Sequence, residues 1–178
     1  MDWTDQGIVL SARKHGESSV VLSLLTAAHG RHAGVVRGGQ SRKRRGEMEV
    51  GNLLSARWRA RLEEHLGNFT VEMTAGHAAR LLDRADRLAA LCALCATADT
   101  CLAEREPHPE TFAASLRLIE ALDGDDWPAP YVAWELQLPG TLGFGLDPSS
   151  CAATGTSHQL LSGSPRLARP VSRSARRL

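Results

Sequence analysis

The segment Arg37-Gly38-Gly39-Gln40-Ser41-Arg42-Lys43-Arg44-Arg45 carries five cations and no acid within nine residues. At this density guanidinium and ammonium groups repel one another. A phosphate backbone relieves the repulsion and gives up its condensed counterions on binding. A second cationic row, Arg57, Arg59 and Arg61, follows at every other position, which puts all three on one face of a strand. Arg37, Arg42, Lys43, Arg44, Arg45, Arg57, Arg59 and Arg61 are therefore the candidate nucleic-acid contacts. The bland reading of the first group is a solvated loop that keeps the protein soluble; a nuclear import signal is a third, without support elsewhere in the chain.

Other chemistry is less well supplied. Cys92-Ala93-Leu94-Cys95, with Cys101 nearby, resembles half of a zinc or redox site. A zinc site needs a second ligand pair, and none follows. Both Cys92 and Cys95 fall on an apolar helical stripe, where free cysteine serves as a small core residue. His29 and His32 flank a hairpin turn without an accompanying carboxylate or thiol, a poor metal set. Glu63-Glu64 reads as a solvated turn. The chain has no G-x-x-x-x-G-K-[ST] loop, no H-E-x-x-H helix and no G-x-S-x-G elbow. The reading is of a binding protein, not an enzyme, with no metal and no cofactor.

The elements that must position these residues change character near residue 75. Before it, short apolar runs are punctuated by glycine turns: Asp5–Arg13, Ser18–Thr26, Arg31–Arg37, Leu53–Leu62 and Leu66–Thr74. In the fourth, Ala56, Trp58, Ala60 and Leu62 face one way and the arginines the other. Five short strands predict a closed OB-type β-barrel, with an SH3-like barrel compatible with the same count. Trp58 and Phe69 fall on apolar faces and are expected in the core. Phosphate contact should then dominate over base stacking, giving salt-dependent and weakly sequence-specific binding.

From Gly76 the period becomes helical. Leu81, Ala85, Leu88, Cys92, Cys95 and Leu102 predict one helix over roughly 77–104. Glu106-Pro107-His108-Pro109 ends it, and Pro109 suits the first turn of the next helix, marked by Phe112, Leu116 and Ile119. Pro128 opens a third, with Tyr131, Trp134 and Leu138 on one side. The predicted class is α+β: a five-stranded OB-type barrel over 1–75, an all-helical domain over 76–147, and an irregular Arg/Ser-rich tail over 148–178.

Charge follows the same division. The whole chain of 178 residues has a net charge of only +1, but its three parts carry +3, −7 and +5. A basic first part and an acidic middle suggest two modules with different partners. With 43% hydrophobic residues the chain can build a core. It contains no run of 18 apolar residues, and its N-terminus lacks a signal-peptide pattern, so a cytoplasmic protein is expected.

Several stretches, taken in order, resemble the bacterial RecO family of recombination mediators. Gly7-Ile8-Val9-Leu10-Ser11 followed by His15-Gly16-Glu17-Ser18-Ser19 is similar to that family's first hairpin. Gly30-Arg31-His32-Ala33-Gly34-Val35-Val36-Arg37-Gly38-Gly39 is similar to the strand that enters its basic loop. Tyr131-Val132-Ala133-Trp134-Glu135-Leu136 and Leu138-Pro139-Gly140-Thr141-Leu142-Gly143-Phe144-Gly145-Leu146-Asp147 resemble its most recognisable helix-to-loop passage. The resemblance spans nearly all of residues 1–155. It implies an OB domain followed by a helical domain, binding of single- and double-stranded DNA, annealing of complementary strands and no catalytic turnover. It also implies work with RecR to load RecA onto strands coated with single-stranded DNA-binding protein (SSB), whose C-terminal tail engages the helical domain.

Two departures are visible. Many members of the family carry a four-cysteine zinc module after the Leu-Gly-Phe-Gly stretch, where this chain has only Cys151; no zinc is expected. Members also usually continue beyond the point corresponding to this C-terminus, so the helical domain is expected to be truncated. Arg166, Arg169, Arg173, Arg176 and Arg177 of the tail are candidates for added DNA affinity. An RNA-binding OB protein and a protein-binding adaptor are the competing functions.

Overall fold

The structure, a computed structural model, describes residues 1–145, 149–164 and 169–172. Five strands form a closed barrel: β1 (Asp2–His15), β2 (Ser19–Thr26), β3 (Gly30–Val36), β4 (Leu53–Arg59) and β5 (Asn68–Ala75). The order around it is β1-β2-β3-β5-β4. Neighbours are antiparallel except β3 and β5, which close the barrel in parallel at Val35 and Asn68. This is the OB-type arrangement expected from the strand pattern.

The long first strand makes closure possible. Its N-terminal half pairs with β4, Asp2 opposite Arg59 through Ile8 opposite Leu53. From Gly7 to His15 it pairs with β2, with a register shift inside that ladder between Val9 and Ser11. Such an irregularity bends a strand and lets it serve both halves of a barrel. Val9 points inward with Leu22, Leu24, Leu54, Trp58 and Phe69. Ile8 and Leu10 are buried as well, on the opposite face of the strand. The strand therefore buries both faces, which simple alternation through Ile8, Leu10 and Ala12 does not convey.

A helix supplies the cover for that outer face. The helical pattern predicted as one segment over 77–104 is divided into α2 (His77–Arg80) and α3 (Ala85–Cys101), preceded in the chain by a short α1 (Arg42–Glu47). Residues 81–84 form a turn that holds Leu81 in the interior and leaves Leu82 exposed. The buried face of α3 is Leu91, Leu94, Cys95 and Ala98, rotated from the expected stripe. Cys92 is exposed, which corrects its placement in the core; Cys95 is buried as expected. α3 packs on β1 and β2.

Polar contacts lock this packing. Ser23 Oγ donates to Asp99 Oδ1 at 2.7 Å. Arg13 and Arg31 each approach the same carboxylate at 3.6 Å, and Arg31 Nε donates to the Leu102 carbonyl at 2.8 Å.

α4 (Pro109–Ala121) begins with Pro109 in its first turn, as its sequence predicts. α5 (Pro128–Thr141) begins at Pro128 and has Trp134 and Leu138 buried. The chain divides into two compact units, Met1–Tyr131 and Val132–Leu178. Within the second, β6 (Leu160–Ser164) pairs with β7 (Arg169–Ser172). The expectation of an irregular segment over 148–178 does not hold for these residues. Strands of five and four residues leave little periodic signal in the sequence. Arg166, Arg173, Arg176 and Arg177 lie outside the described residues. Among the described residues no helix is long and apolar enough to cross a membrane.

Candidate nucleic-acid interface

The basic segment is more ordered than charge repulsion alone suggests. Its polar stretch was expected as a loop; it contains α1, whose first turn is capped by Ser41, with the Arg44 amide donating to Ser41 Oγ at 3.4 Å. Arg44 and Arg45 fall in the last turn, where the helix dipole favours cations. Uncharged residues anchor the segment at both ends. Gln40 Nε2 donates to the carbonyls of Gly16 and Ser19 at 2.9 and 3.0 Å, and Met48 enters the barrel core.

Arg37, Arg42 and Arg45 are exposed and Arg44 is half-buried; the Lys43 side chain lies outside the described residues. Among the described residues, no carboxylate comes within ion-pairing distance of these four arginines. Arg45 shares a surface hollow of about 280 Å³ with Lys14 and Glu49, so α1 stands beside the far end of β1.

The β4 row occupies the other end. Arg57, Arg59 and Arg61 are all exposed, on the outer face as predicted, while Trp58 and Phe69 are buried in the core as predicted. Ala60 packs against the core, but Leu62 is about half exposed. The alternation stops there because β4 ends at Arg59.

Asp2 neutralises part of the row. Arg57 Nε donates to Asp2 Oδ1 at 2.9 Å, its Nη2 meets Oδ2, and Arg59 Nε stands 3.4 Å from Oδ2. The hydrogen bond from Arg57 holds the Asp2 carboxyl below the usual carboxylate range, and Asp2 raises Arg57 in turn. Arg61 keeps its charge free of any carboxylate among the described residues.

The eight predicted residues thus form two groups, α1 beside Lys14 and the β4 row beside Asp2, and closure of the barrel links them: Val35, two residues before Arg37, lies beside Asn68, which stands opposite Arg59. The helical carboxylate Asp99 engages Arg13 and Arg31 and none of these eight.

A third feature adjoins the β4 row. Trp3 stacks on His29, with ring centroids 4.0 Å apart and planes 7° apart, and lies near-parallel to Trp58 at 5.7 Å. His32 meets Trp3 and Trp58 edge-on. Together with Arg105 these rings line a cleft of about 550 Å³. It shares Met1 and Asp2 with the hollow beneath Arg59 and Arg61. The sequence held a partial signal, two histidines at a hairpin turn, which on their own make only a poor metal set. Among the described residues no group of three or more His, Cys, Asp or Glu is arranged to hold a metal ion.

An OB-type barrel bearing unpaired cations and continuing into helices defines the structural class. The match to known families makes it specific. Residues 1–76 match the family described as Recombination protein O N terminal, and residues 82–177 match Recombination protein O C terminal. The chain is 49% identical over 181 residues to the DNA repair protein RecO of Rhodospirillum rubrum, covering 98% of this chain and 72% of that protein. It is 52% identical over 177 residues to the DNA repair protein RecO of Rhodospirillum centenum, covering 98% and 71%. Against that of Cereibacter sphaeroides it is 49% identical over 175 residues, covering 98% and 73%. The chain belongs to the RecO family of DNA repair proteins.

Proposed function

We propose that this protein is a non-enzymatic recombination mediator of the cytoplasm. It binds single- and double-stranded DNA, anneals complementary strands and helps RecR load RecA onto SSB-coated DNA. In this reading residues 1–75 form the DNA-binding module, through Arg37, Arg42, Lys43, Arg44, Arg45, Arg57, Arg59 and Arg61. The helical residues 76–147 receive the SSB tail. The observation that carries the proposal is the pair of cationic groups on the barrel, only one of them partly neutralised, in a chain that belongs to a DNA repair family.

The mechanism is charge screening. Arginines that have no carboxylate partner among the described residues gain an anionic partner in each phosphate and displace condensed counterions. Two strands whose phosphates are neutralised on one barrel approach without their mutual repulsion, and base pairing follows.

The test is binding to matched single-stranded DNA, duplex DNA and RNA across a salt series, with annealing followed in parallel. Affinity is expected to fall steeply with salt for both DNA forms. Replacing Arg42, Lys43, Arg44 and Arg45 with Ala is expected to flatten the slope for single strands by roughly 0.7 for each phosphate no longer neutralised. An unchanged slope removes α1 from the interface. Preference for RNA would instead support the RNA-binding reading, and no binding at low salt the adaptor reading.

A further inference from the structure

The cleft beside the β4 row has a chemistry that phosphate binding does not use. Its walls are rings: His29, Trp3 and Trp58 form a ladder, with His32 set edge-on. His29 is open to solvent, its side chain 35% exposed. Its Nδ1 lies 3.0 Å from Asp5 Oδ2, which fixes the ring plane.

The polar atoms in the cleft are arranged unusually. His32 is only 4% exposed, and neither ring nitrogen has a partner among the described residues. Buried polar atoms are ordinarily satisfied. Burial, together with Arg105 and His29, lowers the His32 pKa to about 4, so near neutrality the ring is uncharged and offers one donor and one acceptor.

Arg105 crosses the Trp58 ring at 6.0 Å. Its backbone is left-handed, with φ of 65°, a conformation costly for a side chain of this kind. It is held there by its amide, which donates to the Arg31 carbonyl at 2.7 Å, and by Nη2, which donates to the His65 carbonyl at 2.9 Å; Nη1 meets the Glu63 carbonyl. Nε stays buried without a hydrogen bond, 3.8 Å from Glu104 Oε1.

Charge selects the occupant. Asp2 and Glu63 line the cleft along with the Arg105 guanidinium and Met1, whose ammonium donates to the Ala60 carbonyl, so its charges balance and it is no trap for a phosphate. A neutral planar group with donors and acceptors on its edge matches the rings and the orphaned nitrogens. The volume, about 550 Å³, lies within the range of small-molecule sites, about 300–1,000 Å³, and leaves room for a sugar to follow. The phosphates on either side would run toward Arg59 and Arg61, which line the adjoining hollow.

We propose that the cleft bounded by His29, Trp3, His32, Trp58 and Arg105 accepts one nucleobase turned out of a bound DNA strand. The inference rests on the DNA-binding reading above and adds to it a single stacking subsite. Phosphate contacts hold the strand, and the cleft registers that a base is unpaired. A duplex, whose bases are stacked and paired, cannot fill it without opening.

The test compares the full chain on a fluorescein-labelled 20-nucleotide oligothymidylate and on an abasic strand of the same length, which keeps the phosphates and lacks the bases. The base-bearing strand is expected to bind on the order of tenfold more tightly and to quench tryptophan emission, which the abasic strand leaves unchanged. His29→Ala and Trp3→Leu, each checked by thermal melting, are expected to abolish the preference. Equal affinities in the wild-type chain overturn the proposal while leaving the phosphate reading intact. So does a preference that survives in a folded variant. Binding of neither strand at low salt overturns both readings. The wild-type comparison stands even if neither variant folds.

Discussion

His32 sets a pH dependence of stability that does not require DNA. In the unfolded chain it accepts a proton near its ordinary value of 6.5, and in the folded barrel only near 4. Between these values the unfolded state binds the extra proton, so stability falls as pH drops from about 6.5 to 4 and rises as it is restored. His77, lowered by burial and by Arg80, acts in the same direction. The His32 contribution is on the order of 3 kcal/mol across that window. Chemical denaturation at pH 7 and pH 5 checks it: the difference should shrink in His32→Leu, which also removes the two unpartnered nitrogens.

Gly30 is a second single-residue dependence. Its φ is +66°, and a Cβ there would stand 1.9 Å from the Glu106 carbonyl oxygen. Gly30→Ala is expected to cost more than about 2 kcal/mol, read as a lower denaturation midpoint. The effect should spread to the 104–106 segment, where Glu104 bridges to Arg31.

At the scale of elements, β1 and β4 decide how much charge the barrel presents. Their register places Asp2 opposite Arg59 and Thr4 opposite Arg57, which delivers one carboxylate to two guanidiniums. Asp2→Asn keeps the shape and removes that charge. The expected outcome is tighter strand binding at low salt and a steeper salt dependence, with little change in melting temperature because the pair is exposed. A fluorescence titration series in salt measures both.

The strands themselves were legible in the sequence, because alternation around Trp58 and Phe69 and glycines at the turns mark one face and the corners. Register was not, since the long-range pairing of β1 with β4 follows from neither alternation nor composition; hence the partner of Arg57 was hidden. Helix faces were legible only coarsely. Cys92 fits a 3.6-residue repeat with Leu88 and Cys95, yet Leu91 and Leu94 won the interior because the barrel surface they cover holds Ile8 and Leu10. The cationic residues were found by local density. The ring-lined cleft was not, because Trp3, His29, Trp58 and Arg105 come from four separate segments that only closure of the barrel brings together.

For the whole molecule, closure of the barrel has a consequence of its own. Lys14, beside Arg45, and Asp2, beside Arg59, are near-terminal residues of one strand, yet neighbouring strands also join them. Lys14 pairs with Val20 and Val20 with Val36; next to it Val35 meets Asn68, which pairs with Arg59 and so leads to Asp2. Inter-strand steps of about 4.8 Å give less than about 30 Å around a curved wall, shorter than one turn of duplex, about 34–36 Å. A fragment of less than one helical turn therefore reaches both cationic groups. Plotted against oligonucleotide length, affinity should level off before that size, and the plateau should drop when the α1 arginines are removed.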